Sequence, residues 1–386
     1  MSQLCLVCDS DALITIDGYE RLPRVTSDCR PWPAGGSLAV CEACGTIQKP
    51  PTKELQDEAR AIYKSYALYQ LSGGVEQSIF NLDGDAAPRS EWLADVVLKH
   101  CDLPRSGRLL DIGCGTGAAL RSFGSRLPEW SLFGSELDPR ALSELRGLSN
   151  FQRLFCDGLD NIQDRFDLVT MIHSLEHMTA PRTTLDEARN LLVAGGSLMV
   201  QVPNAAESLF DTLIADHVVH FSPAQLGFAA AKSGLRPIVL RDDLLPKEIT
   251  LIAEPGDAPI QHPDPQIGIR LAKAVVGWLE TVLDAGREAA RQAAAVGRPF
   301  GVFGTANSGV WLFESLKDDA TFFVDEDPAR VGAQLDGQPV VSPGDVPEDA
   351  SVYIPLTPPI ARRIQQRLGD GPATYLTPPD LPIALA

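Results

Sequence analysis

Two pairs of cysteines near the start of the sequence have the spacing of a metal-binding site. Cys5 and Cys8 form one Cys-x2-Cys knuckle, and Cys41 and Cys44 form a second. Four thiolates that converge tetrahedrally suit Zn²⁺ and leave no position open for water or a substrate. We therefore expect a structural zinc site; the alternative interpretations are free thiols and a redox pair.

A glycine-rich turn at residues 113–117 has the features of a ligand site. Residues 108–112 are predicted to form a strand, and a helical pattern begins after the turn. Gly113, Gly115 and Gly117 would let a ligand approach the backbone between strand and helix. Dinucleotide-binding folds use Gly-x-Gly-x-x-Gly, so this spacing disfavours a nicotinamide site. The strand also carries Asp111, which suits a cationic amino-acid ligand better than a pyrophosphate.

Acidic residues follow the next two predicted strands. The strand at 131–135 is followed by Glu136, whose carboxylate can accept hydrogen bonds from both ribose hydroxyls of an adenosine. Asp157 follows the strand after that, where it can accept a hydrogen bond from an adenine amino group. Together with the glycine turn and Asp111, these carboxylates indicate a site for an adenosine joined to a cationic amino acid.

The elements that must position these residues predict an α/β protein in three blocks. Residues 1–75 hold the cysteine pairs and many turn formers, and residues 76–254 alternate apolar runs with helical patterns, as parallel α/β units do. Residues 255–386 begin with a Pro-rich connection that continues from residue 254, followed by a helical pattern over 266–296. A second α/β series then follows, with strand candidates at 299–304, 320–325, 351–355 and 373–376.

The composition is that of an ordinary globular protein and excludes a disordered or fibrous chain. The 386 residues include 33 Lys and Arg against 51 Asp and Glu, a formal net charge of −18. So acidic a chain is not drawn to nucleic acid or anionic lipid over its whole surface, and we expect neither as a partner. Because no apolar run is long enough to span a membrane and residues 1–14 lack a signal-peptide pattern, we expect a cytoplasmic protein with reduced cysteines.

Three motifs of the middle block resemble those of class I S-adenosylmethionine (SAM)-dependent methyltransferases. LLDIGCGTG, at residues 109–117, is nearly identical to the first motif of that family. FDLVTMIHSLEHM, at 166–178, resembles the fourth-strand motif, and LLVAGGSLMVQVPN, at 191–204, resembles the turn and fifth strand after it. The resemblance implies an enzyme with a Rossmann-like core, a mostly parallel seven-stranded sheet, and SAM as cofactor.

The same resemblance implies which residues contact the cofactor. The methionine end of SAM would be lined by Asp111, Gly113, Gly115 and Gly117. Glu136 would hold the ribose and Asp157 the adenine, while the fourth strand would cover the cofactor with His173 and Leu175.

The order of the three blocks resembles the three-domain C-methyltransferases that act on nucleoside-diphosphate keto-sugars. This implies a zinc-binding N-terminal domain, a C-terminal Rossmann-like domain and a nucleotide-linked sugar as the small-molecule substrate. The segment 210–222 is similar to the one that carries the family's catalytic histidine, which falls on His217, with His220 as its rival. Tyr66 and Tyr69 lie where the family places aromatic residues that face the substrate.

The chemistry of the acceptor decides what these side chains must do. Methylation of a carbon beside a ketone needs a base to remove a proton and a donor to stabilise the oxyanion, whereas a hydroxyl or amine acceptor needs the base alone. His217 is the candidate base because a neutral imidazole accepts a proton near pH 7; the alternative is a histidine packed in a loop. Tyr66 or Tyr69 is the candidate donor or substrate contact, the alternative being aromatic packing.

Three departures from the family pattern leave other functions open. Ile214 stands where the family has a tyrosine, residues 246–248 replace its signature after the core, and Ser308 replaces the lysine of its C-terminal glycine loop. An O- or N-methyltransferase acting on a sugar or another small metabolite is the first alternative. A non-catalytic SAM-binding scaffold is the second. The sequence leaves the sugar, the methylated atom and the oligomeric state open.

Overall fold

In a computed structural model, the described residues are 3–66, 76, 78–80, 86–316, 318–369, 371 and 373–382. Tyr69, a predicted substrate contact, lies outside these ranges. Within them, no helix combines the length and the apolar character that crossing a bilayer requires.

In the N-terminal part, the described residues form short strands and one α-helix. Its elements are β1 (Leu13–Thr15), β2 (Arg24–Val25), β3 (Pro31–Trp32), β4 (Ala39–Cys41), β5 (Ile47–Gln48) and α1 (Lys53–Lys64). β4 pairs antiparallel with β1 and β5, while β2 and β3 form a separate antiparallel ladder. Thr52 caps α1, since its side chain accepts a hydrogen bond from the backbone N–H of Leu55.

The central part begins with β6 and contains the largest sheet. Its elements are β6 (Ser78–Phe80), β7 (Ala86–Pro88), α2 (Arg89–His100), β8 (Arg108–Ile112), α3 (Ala118–Arg126), β9 (Ser131–Ser135), α4 (Leu142–Leu145), β10 (Phe151–Phe155), β11 (Phe166–Ile172), α5 (Pro181–Asn190), β12 (Leu192–Pro203), β13 (Val219–His220), α6 (Pro223–Lys232), β14 (Leu235–Arg241) and β15 (Glu248–Pro255). Seven of the strands form one sheet in the order β10-β9-β8-β11-β12-β15-β14. β15 runs antiparallel to both neighbours and the other pairs are parallel, which confirms the mostly parallel seven-stranded sheet.

The central sheet is covered on both faces, as the apolar character of its strands predicts. Successive residues of β8 point to opposite faces, so Leu109 packs in the core with α2 and α3 while Leu110 packs in the core with α5 and α6. The chain runs from β8 outward to β9 and β10 and then returns to β11 on the other side of β8. Ligands bind beyond the carboxyl ends of strands at such a reversal, which is where the glycine turn lies.

One strand of the central part belongs to the N-terminal sheet. β13 pairs antiparallel with β5, with Val219 opposite Gln48 and His220 opposite Ile47. The N-terminal sheet therefore has the order β1-β4-β5-β13.

The C-terminal part contains a long helix and a second Rossmann-like sheet. Its elements are α7 (Pro265–Ala295), β16 (Phe300–Phe303), α8 (Asn307–Ser315), β17 (Phe322–Val324), β18 (Gln334–Leu335), β19 (Gln338–Val341), β20 (Ser351–Tyr353), α9 (Pro358–Leu368) and β21 (Thr374–Leu376). The sheet order is β18-β19-β17-β16-β20-β21, and the β18–β19 pair is antiparallel while the others are parallel. The predicted long helix and the four strand candidates are confirmed.

α7 joins the N-terminal and C-terminal parts in one core. Its residues Leu271, Val275, Leu279 and Leu283, spaced by four, are all buried in a cluster with apolar residues of β4 and β16. The helix begins tightly against the second cysteine knuckle, because a Cβ at residue 268 would lie 1.9 Å from a backbone oxygen of that knuckle. The cysteines themselves pack in the core of the central sheet, so the N-terminal part is shared between two cores.

Candidate active site

The glycine turn after β8 needs its glycines for two reasons. Gly113, Gly115 and Gly117 have φ angles of 74°, 46° and 84°, in the region that side chains disfavour. A Cβ at Gly113 would also lie 2.6 Å from Cβ of Ser174, in the loop after β11. The Ser174 hydroxyl donates a 2.8 Å hydrogen bond to the Ile112 carbonyl oxygen. The glycine turn and the loop after β11 are therefore packed against each other.

Asp111 is buried inside the sheet beside this turn. It is 3% exposed, and the Thr170 hydroxyl on the neighbouring strand donates a 2.7 Å hydrogen bond to its Oδ1. Burial raises the pKa of Asp111 to about 7, although the bond from Thr170 lowers it. A cationic group next to this carboxylate would favour its ionised form.

Glu136 faces the turn from the end of β9. Its Oε2 accepts a 3.1 Å hydrogen bond from the Gly115 N–H, and its Oε1 accepts a 2.7 Å bond from the Leu137 N–H. The hydroxyl of Thr116, in the same turn, is buried without a hydrogen-bond partner among the described residues. A buried unpartnered hydroxyl beside an acceptor carboxylate fits a polar ligand such as an adenosine. Asp157 is exposed after β10.

His173 and Leu175, predicted to cover the cofactor from the fourth strand, lie in the loop directly after β11, and Leu175 is buried. Nδ1 of His173 lies 3.1 Å from Oε1 of Glu176, and its Nε2 lies 3.2 Å from Oε1 of Glu248 on β15. Although burial lowers the pKa of His173, these two carboxylates raise it to about 9. The imidazole is therefore a charged partner of two carboxylates, a role that its sequence position did not reveal.

His217 and His220 share one carboxylate, that of Asp211. Oδ1 of Asp211 lies 2.7 Å from Nδ1 of His217, and Oδ2 lies 2.5 Å from Nδ1 of His220. All three are buried, and burial lowers the pKa of His220. Burial raises the pKa of Asp211, but the two imidazoles hold it well below its usual range. An ionised carboxylate on Nδ1 fixes the hydrogen there, which leaves the lone pair of each ring on Nε2.

A third histidine of this cluster, His177, packs edge-on against His217, with ring centroids 4.5 Å apart. Nδ1 of His177 lies 3.0 Å from the carbonyl oxygen of Asp216, 3.4 Å from its Oδ2, and 3.0 Å from the hydroxyl of Tyr63. Burial lowers the pKa of His177, but Asp216 raises it above its ordinary value. The structure therefore places the ring of His177 in contact with that of His217.

Tyr66 is connected to this cluster through the N-terminal part. Its hydroxyl lies 3.2 Å from Oγ of Ser27, which donates a 2.5 Å hydrogen bond to Oδ2 of Asp216. The rings of Tyr63 and Tyr66 are 5.4 Å apart. Burial raises the pKa of Tyr63 well above its ordinary value, so this phenol keeps its proton.

Lys49, directly after β5, holds the segment that carries His217. The side chain is 2% exposed, and Nζ donates hydrogen bonds to the carbonyl oxygens of Ile214 and, at 2.7 Å, of His217. Its backbone N–H also donates a 2.7 Å bond to the Val218 carbonyl. Burial lowers the pKa of Lys49 to about 7. The N-terminal sheet thus fixes the backbone on both sides of His217.

The four cysteines converge as their spacing predicts. Sγ of Cys5 lies 3.6 Å from Sγ of Cys44, and Sγ of Cys8 lies 3.4 Å from Sγ of Cys41. All four sulfurs lie within 4.8 Å of one another. A tetrahedron with Zn–S bonds of about 2.3 Å has sulfurs roughly 3.8 Å apart, so the arrangement fits a bound zinc ion.

Several residues of the candidate site were missed by sequence reasoning. Asp211 and Asp216 stand six and one positions before His217, so their place in the quoted segment 210–222 was the signal that could have found them. Lys49 and Ser27 come from the N-terminal part, more than 150 residues away in sequence, and the β5–β13 pairing and a bridge between Val25 and Ile214 bring them close.

Comparison with known proteins places the central part among methyltransferases. Residues 87–239 match the family model described as a methyltransferase domain. A tRNA U34 carboxymethyltransferase of Proteus mirabilis is 31% identical over 135 residues, covering 32% of this chain and 40% of that protein. A release factor glutamine methyltransferase of Deinococcus radiodurans is 31% identical over 130 residues, covering 31% of this chain and 46% of that protein. The chain thus spans less than half the length of these curated relatives.

Solved structures show a weaker likeness. The crystal structure of an S-adenosylmethionine-dependent methyltransferase from Clostridium acetobutylicum is 13% identical and has a TM-score of 0.37, covering 53% of this chain and 98% of that one. So slight a likeness says nothing of function. The family match, the strand order with one antiparallel strand, and the glycine turn with its two carboxylates agree with one another. The central part of this chain is a class I SAM-dependent methyltransferase domain.

Proposed function

We propose that this chain is a SAM-dependent methyltransferase that methylates a nucleotide-linked keto-sugar at carbon, with His217 as the general base. SAM, when bound, supplies an electrophilic methyl group. Asp111, the glycine turn and Glu136 would bind and orient it, and Asp157 would contact the adenine. The observation that carries the proposal is the His217–Asp211 pair beside the loop that packs on the glycine turn.

The proposal is supported by a continuous set of contacts from the cofactor turn to the base. Ser174 packs on Gly113, and two residues later the Glu176 carbonyl accepts a 2.7 Å hydrogen bond from the Val218 N–H, next to His217. One short loop therefore contacts both the cofactor turn and the base. Such a loop suits methyl transfer, in which alignment of donor and acceptor supplies much of the rate.

His217 has the proton arrangement that a base needs. Asp211 holds the hydrogen on Nδ1, so Nε2 can accept the proton from the acceptor carbon, and the imidazolium that forms is stabilised by the same carboxylate. His220 shares Asp211 but is more deeply buried, which favours His217 as the base and His220 as its support.

The tyrosines supply the second requirement of carbon methylation. An enolate oxygen needs a donor that keeps its proton, and the raised pKa of Tyr63 meets this condition. Tyr66 lies beside Tyr63 and remains a proposed substrate contact. These two hydroxyls take the place of the family's tyrosine at Ile214.

A cavity supports the nucleotide-linked substrate. Its volume is about 770 Å³, and it lies between the loop 242–247 and the start of α9. Lys247, Arg362 and Arg363 line it, as does Leu209, two residues before Asp211. Cationic side chains of this kind suit a diphosphate. Four carboxylates also line the cavity, those of Glu207, Asp242, Asp243 and Asp380, and Arg362 pairs with Asp380, so the cavity holds cations without being positively charged as a whole.

Ile214 favours a second candidate function, methylation of oxygen or nitrogen. The side chain is buried where the family carries a tyrosine hydroxyl. An acceptor hydroxyl or amine needs no oxyanion donor, so His217 alone would suffice.

Deuterium exchange distinguishes the two functions. With the demethylated product of SAM bound and nucleoside-diphosphate keto-sugars in D₂O, carbon methylation predicts exchange of the proton beside the ketone, detected by NMR. His217→Asn should abolish the exchange, and His100→Asn, at an exposed position on α2, should leave it intact. Methyl transfer without exchange would refute carbon methylation. Failure of the protein to bind SAM in a calorimeter would exclude both functions.

We also propose that Cys5, Cys8, Cys41 and Cys44 bind a structural zinc ion. Four protein thiolates complete the coordination, so the ion takes no part in the reaction. Protein purified without added metal should contain one tightly held zinc ion per chain, and Cys41→Ser should lose it. Full-length protein that is folded and free of zinc would contradict the proposal.

A further inference from the structure

Outside the cysteine cluster, one other group of side chains in the described part of the chain has metal-ligand geometry. Glu176, His177 and His217 each offer a ligand atom, and the three atoms lie within 4.8 Å of one another. Two imidazoles and a carboxylate form a common site for divalent transition metals, and such a site keeps positions open for water or substrate. We infer that these three residues form a second divalent-metal site, of nitrogen and oxygen ligands, at the acceptor end of the active site.

The carboxylate of Glu176 points to a ligand independently of the histidines. The residue is 1% exposed, and its Oε1 is engaged by His173. Its Oε2 is buried without a hydrogen-bond partner among the described residues. An unsatisfied buried carboxylate oxygen is costly, and an ion bonded to it removes that cost.

Both histidines carry the outer contacts that metal-binding histidines have. Asp211 lies on Nδ1 of His217, and Asp216 lies on Nδ1 of His177. A carboxylate or carbonyl on one ring nitrogen fixes the tautomer and directs the lone pair of the other nitrogen to the metal. Asp211, Asp216 and Glu176 also give the cluster the negative charge that a divalent ion needs.

His217 cannot bind the metal ion and accept a proton at the same time. An ion bonded to Nε2 of His217 takes the lone pair that would receive the acceptor's proton. A bound ion should therefore inhibit methyl transfer. This consequence rests on the function proposed for His217, whereas the binding of the ion does not.

Cobalt titration of the full-length, zinc-loaded protein tests the site. Co²⁺ should give d–d absorption without the sulfur charge-transfer band that exchange into the cysteine cluster would produce, and should saturate at one ion per chain. Glu176→Gln should weaken Co²⁺ binding at least tenfold, and Glu144→Gln, at an exposed position on α4, should not. Binding that Glu176→Gln leaves unchanged, or no binding apart from the cysteines, overturns the inference.

Paramagnetic NMR tests the site even if Glu176→Gln fails to fold. Wild-type protein with bound Co²⁺ should show shifted ring N–H signals from two histidines, because Asp211 and Asp216 hold those hydrogens on Nδ1. Signals from one histidine or none would overturn the inference. With an acceptor present, turnover should fall with a midpoint equal to that of Co²⁺ binding. Full activity at saturating Co²⁺ would show that metal binding and proton acceptance do not compete for His217. The spectra would still show whether the ion binds at this site.

Discussion

Lys49→Met should remove a pH dependence from the stability of this protein. Lys49 is fully buried, and its pKa of about 7 compares with an ordinary value of 10.5. Between these values the unfolded chain binds more protons than the folded one, so the free energy of unfolding rises with pH. Below about pH 7 the amine is charged in both states, so the folded protein bears the full free-energy cost of burying the charge. This cost falls as the pH rises from about 7 toward 10.5, the ordinary pKa of the amine in the unfolded chain.

The size of the effect follows from the two pKa values. One pKa unit is worth about 1.4 kcal/mol, and the folded amine is half protonated near pH 7. The free energy of unfolding of the wild-type protein should therefore rise by about 2 kcal/mol between about pH 7 and about pH 9 because of this group alone. The variant loses that gain, and it also leaves the carbonyl oxygens of Ile214 and His217 without their donor, at a cost of roughly 1–3 kcal/mol each.

Urea unfolding across this pH range measures the effect as the difference in the free energy of unfolding between the wild type and Lys49→Met. Lys53→Met, at an exposed position at the start of α1, is the matched control and should run parallel to the wild type. The turnover number of Lys49→Met should fall about 10- to 100-fold because His217 is no longer held in place, with SAM affinity preserved. A difference that does not change with pH would refute the reasoning about Lys49.

Four further outcomes are expected. Gly113→Ala, whose Cβ would lie 2.6 Å from that of Ser174, should lose about 1–3 kcal/mol of stability in thermal unfolding and weaken SAM binding in calorimetry. Glu136→Gln should weaken SAM binding about tenfold without changing the melting temperature in buffer alone. Because the pKa of Asp111 is about 7 in the free protein, SAM affinity measured by calorimetry should fall as the pH drops below that value and should level off above it. Arg363→Met should raise KM for a nucleotide sugar in initial-rate assays and leave SAM affinity unchanged.

The central fold could be predicted because its signals are local. The strand at 108–112, the start of α3 at Ala118 and the strand at 131–135 were expected at the positions where the structure has them. Gly113 and Gly115 have positive φ angles, which glycine adopts more easily than other residues. The turn therefore requires glycines, and their spacing can be recognised in a single sequence. The same holds for α7, whose buried residues recur at helical spacing.

The acceptor side of the site could be predicted only in part, because its residues come from distant segments. His217 and Asp211 lie six positions apart, so one motif located the region. Lys49 and Ser27 reach it through tertiary contacts that no periodicity in the sequence encodes. The charge on His173 likewise depends on Glu248, which the central sheet brings from a strand 75 residues later.

The shared N-terminal sheet sets an order of events when the chain is synthesised. β1, β4 and β5 leave the ribosome early, but β5 has an open edge until β13, which is about 170 residues further on, has emerged. Unpaired edges invite association with other chains. The nascent protein therefore has an exposed strand edge while most of its central domain is synthesised, and the sheet next to the second cysteine knuckle is complete only when the segment that holds His217 has emerged.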